Sequence, residues 1–430
     1  MIFLNILYFL IISVLGYKWL TSHDGKILKS ALDPSRKFRF NGPELFWCLT
    51  FSTGLLAFSL SLGVDLMAIR LLVLEVLCLI GLRLAQDSPI YSGPLKMYTI
   101  YILWIIVGIY YAPSTAIGIR VVLKYLYPII LCLFASAAVR DPQTFMISSK
   151  WARVTGAICI AFSFIPYIGI LTPGVWWYAT AQAIHFISLF IFSLGMYVFT
   201  NQKRRNLLWT ILFALPCFIW VFRTSIMGTV VALAAWSFIR WRVKSLPVIA
   251  VIGLLGVISV FEIDAVREKM FFKPDQMTFE KFINGNITFD DVNTNTRAKI
   301  WKELEQRFYK GHEWAGSGTG TAQVFMHENS DMFGGLTVCH SDFVQQKCDN
   351  GLIGLGLYAL MVLFVFADCC KTYWWSEDPY VRLAAITAGA SLLGVYACFY
   401  SDNTVNYSMA TLSMPFGFYG MMLGLRESRE

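Results

Sequence analysis

Three residues are of types that do chemistry and stand where chemistry is possible: Arg223, Arg297 and His340. An arginine presents a rigid five-donor fork that matches phosphate oxygens. A histidine takes up or releases a proton near neutral pH. Together they suit the binding of a phosphate-bearing group and the activation of a hydroxyl.

Arg223 lies in Phe222-Arg-Thr-Ser-Ile-Met-Gly228, at a junction between two apolar stretches with almost no connection between them. That pins it at one membrane face, where it serves either anion binding or anchoring to lipid headgroups. Arg297 opens Thr296-Arg-Ala-Lys-Ile-Trp301-Lys-Glu-Leu-Glu-Gln-Arg-Phe308. There Ile300, Trp301, Leu304 and Phe308 recur at helical spacing, which predicts an amphipathic helix lying on the membrane or on the protein. Asn295 or Thr296 is the expected N-cap. Arg297 then falls in the first turn, where a cation opposes the helix macrodipole by about 0.3–1 kcal/mol. A cation in that unfavourable place hints at a bound anion, against the plainer reading of a solvated surface arginine. His340 stands in Cys339-His-Ser-Asp-Phe-Val-Gln-Gln346, with Asp342 placed to orient it if the backbone turns suitably. A lone histidine is more often structural, so its weight here comes from the arginines.

Further candidates are weaker alone. Gly316-Ser-Gly-Thr-Gly320 either forms a tight turn or exposes successive backbone N–H groups to an anion or sugar. Arg120 and Lys124 lie four apart and share a helix face inside an apolar stretch. They fit structural pairing and anion binding equally. For Glu75, an internal ion pair with Arg70 or Lys124 is expected. The binding candidates are thus Arg120, Lys124, Gly318, Gly320, Trp301 and Asp342, beside the catalytic candidates Arg223, Arg297 and His340. Cys339 and Cys348 flank the histidine segment, where a disulfide would rigidify His340, or they stay unpaired. Asn286-Ile-Thr288 and Asn406-Tyr-Ser408 fit the glycosylation sequon and read as chance matches. The sequence holds no metal-ligand cluster and no nucleotide-binding glycine fingerprint, and no cofactor or metal is expected.

The elements that hold these residues are membrane spans. The chain of 430 residues is 57% hydrophobic and 14% charged, with a mean hydropathy of +0.59. Soluble domains carry about a quarter charged residues. Apolar runs near the ~20-residue spanning length recur at 1–20, 44–63, 66–84, 95–111, 115–139, 151–170, 181–199, 206–222, 224–240, 245–262, 351–370, 381–400 and 409–425. The first lacks a basic leader and a cleavage site, so an uncleaved span is expected there. Basic clusters in 21–43, at Lys203-Arg-Arg205 and at Arg240-Trp-Arg242-Val-Lys244 face the cytoplasm under the positive-inside rule. The count then puts the long polar segment 263–350 on the outer side. That segment holds 10 Lys/Arg against 13 Asp/Glu, a net −3 in a chain of +8, so the basic excess belongs to the other connections and not to a nucleic-acid surface. A polar loop of this length, if ordered, is usually functional.

In this order the pieces resemble the O-antigen ligase and O-antigen polymerase superfamily of bacterial envelope enzymes. The matching stretches are Arg223-Thr-Ser with the apolar run after it, Thr296-Arg-Ala-Lys-Ile-Trp301, Gly316-Ser-Gly-Thr-Gly320, and His340-Ser-Asp-Phe with Asn350-Gly-Leu-Ile-Gly-Leu355. They fall within 206–360; the rest of the chain resembles the superfamily only in hydropathy. The resemblance implies an all-α integral membrane protein of about 12–14 transmembrane helices, a GT-C-like bundle forming one polytopic domain over 1–430. Within it, 263–350 would be a periplasmic catalytic loop containing short amphipathic helices. It implies a metal-independent glycosyltransferase of the bacterial inner membrane acting on an undecaprenyl-pyrophosphate-linked oligosaccharide. Arg223 and Arg297 would hold the pyrophosphate, and His340 would act as base or orient the acceptor. A polysaccharide polymerase is favoured from the His340–Leu355 motif; a ligase delivering glycan to lipid A-core is the alternative. A chain-length regulator and a flippase are the protein partners implied. The competing class is a lipid-linked oligosaccharide transporter, which the long outer loop and the lack of an internal repeat disfavour.

Overall fold

The computed structural model describes residues 2–22, 25–29, 37–55, 66–163, 183–219, 222–288, 291–292 and 297–428. The protein is 78% helical and nearly all-α. The expected Asn295/Thr296 cap, the distal part of the 44–63 stretch and the end of the 151–170 stretch lie outside the described residues.

The chain begins with α1 (Ile2–Leu20). A short antiparallel hairpin, β1 (Lys26–Lys29) and β2 (Lys37–Phe40), then pairs Lys26 with Phe40 and Lys29 with Lys37. The hairpin was not expected, since 21–43 reads only as a basic connection. Next come α2 (Gly42–Thr53), α3 (Leu66–Leu84), α4 (Gly93–Ile109), α5 (Thr115–Ala138), α6 (Pro142–Ser163), α7 (Ile187–Phe199), α8 (Lys203–Ile219), α9 (Arg223–Trp241) and α10 (Leu246–Glu262). Four short helices fill the polar segment: α11 (Asp264–Met270), α12 (Phe279–Ile283), α13 (Arg297–Leu304) and α14 (Thr321–Glu328). The chain ends in α15 (Asp342–Trp375), α16 (Pro379–Cys398) and α17 (Ser413–Glu427).

Among the described residues, four helical stretches are long and apolar enough to cross a membrane: Thr115–Ala138, Arg223–Glu262, Asp342–Trp375 and Pro379–Cys398. The second is α9 and α10 joined by one 3-10 turn, where Arg242 takes a positive φ. The side chains of α10 are exposed or half-exposed along its length, and Phe261 is its one buried residue. A helix apolar on all sides with so little protein around it suits a lipid surround. These are the features of a helical membrane protein.

Helix α6 begins nine residues before the expected 151–170 stretch, because its start reads as a connection. Asp141 caps it by accepting from the backbone N–H groups of Gln143 and Thr144 at 2.8 and 2.9 Å. The polar turn that follows is buried, with Ser148 donating back to the Thr144 carbonyl oxygen. Polar side chains satisfied within their own helix leave no apolar signature. Glu75 is likewise buried, but among the described residues it makes no ion pair with Arg70 or Lys124. Arg70 instead donates to the Met409 sulfur at 3.2 Å, and Lys124 reaches a different partner.

Helix α16 is the centre of the bundle and packs against α7, α9, α15 and α17. Small residues Ala384, Ala385, Ala388, Ala390 and Ser391 make it thin enough for that. Its crossing with α9 is closest at Gly394 and Gly228. A Cβ on Gly394 would stand 2.6 Å from the Gly228 carbonyl oxygen, and one on Gly228 would stand 2.8 Å from that of Gly394. The close approach brings the start of α9 against the chain leaving α16.

The polar segment forms two small cores of its own. Ile300, Leu304, Ala322, Phe325, Met326, Phe333, Cys339 and Cys348 are buried together, with Trp301 and Phe308 packed alongside. The amphipathic face expected of Arg297–Phe308 therefore packs onto protein. The second core joins Phe261, Phe271 and Met277.

Candidate active site

The site gathers around a stretch that the sequence did not single out, the connection from Phe399 to Tyr407 between α16 and α17. The Gly228–Gly394 crossing sets it against the first turn of α9. Thr224 Oγ1 lies 2.7 Å from Ser401 Oγ, and the Cys398 thiol donates to the Thr224 carbonyl oxygen. From the opposite side, Arg297 at the start of α13 donates through Nη1 to the Ser401 carbonyl oxygen at 2.6 Å. Arg223 and Arg297, far apart in sequence, are thus held at one end of the bundle, where their guanidinium groups repel each other. Burial lowers the Arg297 pKa, and the Asp402 carboxylate acts in the opposite sense. The N-cap residue of α9, Phe222, makes no side-chain cap bond, so the first-turn N–H groups add to the positive potential there.

His340 is fastened to the same connection. Its φ is +53°, a left-handed conformation that costs a non-glycine residue about 1 kcal/mol or more. The surrounding bonds impose it. The His340 backbone N–H donates to Asn403 Oδ1 at 2.6 Å, and the Asp342 N–H donates to the Asp402 carbonyl oxygen at 3.1 Å. Ser341 donates to the Phe399 carbonyl oxygen and caps α15 by accepting from the Val344 N–H. The half-buried imidazole places Nδ1 at 3.9 Å from Asp402 Oδ1. Asp402, not Asp342, is therefore the carboxylate beside the histidine.

Asp342 does different work from that expected. Its side chain is buried, and its oxygens accept from Thr404 Oγ1 at 2.7 Å, the Val405 N–H at 3.2 Å and Asn403 Nδ2 at 3.3 Å. It clamps the turn that presents Asp402 and Asn403 and leaves no face for a substrate. Gly318 and Gly320 also stand apart. Their N–H groups donate to the Asp349 carbonyl oxygen at 2.9 Å and to Asp349 Oδ2 at 3.0 Å, so the chain's own acceptors occupy the donors that an anion would need. This glycine turn seats against α15 just before Gly351, whose φ of +64° breaks that helix. Cys339 and Cys348 share the small core as separate thiols.

Lys124 does join the cluster: its Nζ donates to Asn406 Oδ1 at 2.7 Å. The asparagine that reads as a chance sequon is its partner. Arg120 lies one turn earlier on α5, half-buried. Trp301 lies at the edge of the site, its Nε1 donating to the Cys339 carbonyl oxygen at 2.8 Å and its ring meeting Tyr400 edge to face at 5.8 Å.

No protein-family model matches this chain, and no curated protein does either. Two guanidinium groups and an imidazole with a carboxylate neighbour are gathered at one end of the bundle. The missed residues had one signal, the polar run Ser401-Asp-Asn-Thr404 between two apolar stretches.

Proposed function

We propose that the chain is a membrane glycosyltransferase of the O-antigen polymerase type. It moves a glycan from an undecaprenyl-pyrophosphate donor to a second lipid-linked repeat. The observation that carries this reading is that Arg297, the His340 backbone and the first turn of α9 beside Arg223 are all bonded to the single connection Phe399–Tyr407. In the reaction an acceptor hydroxyl attacks the anomeric carbon and loses its proton to His340. The bond from that carbon to the pyrophosphate breaks, and negative charge develops on the departing phosphate. Arg223 and Arg297 are fixed where they stabilise that charge, and fixed donors need no reorganisation as it forms. Asp402 lies beside the imidazole ring, Oδ1 at 3.9 Å from Nδ1. Fixing both glycans in line supplies much of the remaining acceleration.

In this reading the protein is a GT-C-like bundle of about 12–14 spans in the bacterial inner membrane, with the site at the periplasmic face and 263–350 as its catalytic loop. The placement of cations supports that orientation. Arg240, Arg242, Arg382 and Arg426 lie at the end of the bundle away from the site, at the last turns of α9 and α17 and the first of α16. A chain-length regulator and a flippase would be its protein partners.

The test is electrophoresis of surface glycans and lipid A-core from a deletion strain with and without the gene restored. A core bearing one repeat, with the long ladder lost, is the outcome expected of a polymerase. A bare core with long polymer left on the lipid carrier would instead mean a ligase. An unchanged ladder would point to another polymer or to transport.

A further inference from the structure

A cavity of ≈ 400 Å³ opens between α13 and the first turns of α15, on the flank of the site. Its wall includes Ser341, next to His340, and Tyr400, next to Ser401. Trp301 and the half-exposed Tyr400 offer aromatic surface there. Lys302, Glu305 and Lys347 supply the polar part, and Phe343, Val344 and Leu355 an apolar part that runs on into α15.

The charges in the cavity differ from those in the arginine cluster. Lys347 Nζ lies 2.9 Å from Glu305 Oε1 and 4.2 Å from the centre of the Tyr309 ring, so its charge is already matched. Lys302 remains as the net positive charge of the cavity. One lysine beside aromatic surface is poor at holding a pyrophosphate, which needs several fixed donors. It suits a saccharide ring, whose C–H face packs on an aromatic ring while its hydroxyls bond to the polar rim. The apolar wall ends at Leu355, on the part of α15 where Leu352 and Ile353 are exposed.

We propose that the cavity bounded by Trp301, Tyr400, Lys302 and Leu355 binds the acceptor saccharide and delivers its hydroxyl to His340. The inference rests on the transferase reading above. It adds that donor and acceptor occupy separate sites, with the pyrophosphate on Arg223 and Arg297 and the acceptor sugar against α13 and α15.

Two variants of the full-length protein test it. Leu355→Trp fills the cavity, and Tyr400→Ala removes one of its aromatic surfaces without adding bulk. Each is scored for polymer formed in the complemented deletion strain at matched protein level. Each purified protein is also scored for binding of undecaprenyl pyrophosphate alone. The expected result is polymer reduced by about tenfold or more, with affinity for undecaprenyl pyrophosphate within about twofold of the original. Arg297→Ala is the contrast, losing both. Wild-type polymer from both cavity variants would overturn the proposal. So would parallel loss of undecaprenyl pyrophosphate binding, which would make the cavity part of the donor site. If Arg297→Ala also keeps polymer and binding, the transferase reading itself fails.

Discussion

Arg297 donates to the carbonyl oxygen of Ser401 across 104 residues of sequence, and with the His340 N–H bond to Asn403 it joins the polar segment to the membrane bundle at the site. Its consequence is geometric. The Arg297 guanidinium is held by backbone, which a side-chain substitution on the partner cannot remove. The Thr224–Ser401 contact carries the same connection to the first turn of α9 beside Arg223. The distance between the two arginines therefore depends on how closely α9 and α16 cross.

Gly394→Leu tests that dependence. The added side chain meets the α9 backbone, and overpacking of this kind costs about 1–3 kcal/mol. Thermal unfolding in detergent should show the lower stability. Glycan transfer should fall further than stability alone explains, because Arg223 and Thr224 are displaced from Ser401. Wild-type stability and activity together would show that the crossing tolerates separation.

The two aspartates near His340 separate by role. Asp342→Ala orphans the Thr404 hydroxyl and the Val405 N–H, at roughly 1–3 kcal/mol for each buried group left unsatisfied. Its main effect should be a lower unfolding temperature. Asp402→Asn keeps the shape of the turn and removes the charge beside the imidazole. It should leave the unfolding temperature nearly unchanged and lower transfer about 100-fold, the low end of the range for proton-transfer catalysis. The reverse pattern would exchange the two assignments.

How much of this was legible in the sequence follows from what is local and what is not. The 66–84 stretch coincides with α3, and 115–139 differs from α5 by one residue, because a run of apolar side chains declares itself in one dimension. Arg223, Arg297 and His340 stood out as polar groups in or beside such runs. Asp402 did not, since a four-residue polar link between two apolar runs looks like any other connection. Its importance comes from His340 and the Asp342 N–H, and from the bonds of its neighbour Ser401 to Arg297 and Thr224, contacts that close only when α9, α15 and α16 pack. The role of Gly318 and Gly320 was misread for a related reason. A glycine turn with free N–H groups and one whose donors are occupied by Asp349, 29 residues from Gly320, have the same local sequence.

Cys339 and Cys348 should behave as thiols. Burial pushes the Cys339 thiol up to about 12, which removes nearly all reactive thiolate at neutral pH. Maleimide labelling of the native protein should be slow at Cys339 and become fast in denaturant. Peptide mapping without reductant should recover the two cysteines unlinked. A linked peptide would show that they pair.

The central claim is that Arg223, Arg297 and His340 act together in transfer. The direct measurement is polymer yield and chain length in the deletion strain carrying Arg223→Ala, Arg297→Ala or His340→Ala at matched protein levels. Losing one donor from a charge-stabilising site costs roughly 10²–10³ in rate, and losing a proton acceptor roughly 10²–10⁴. Each variant should therefore leave little or no long polymer while the protein stays folded in the membrane. Polymer of normal length and yield from both Arg297→Ala and His340→Ala would contradict the account.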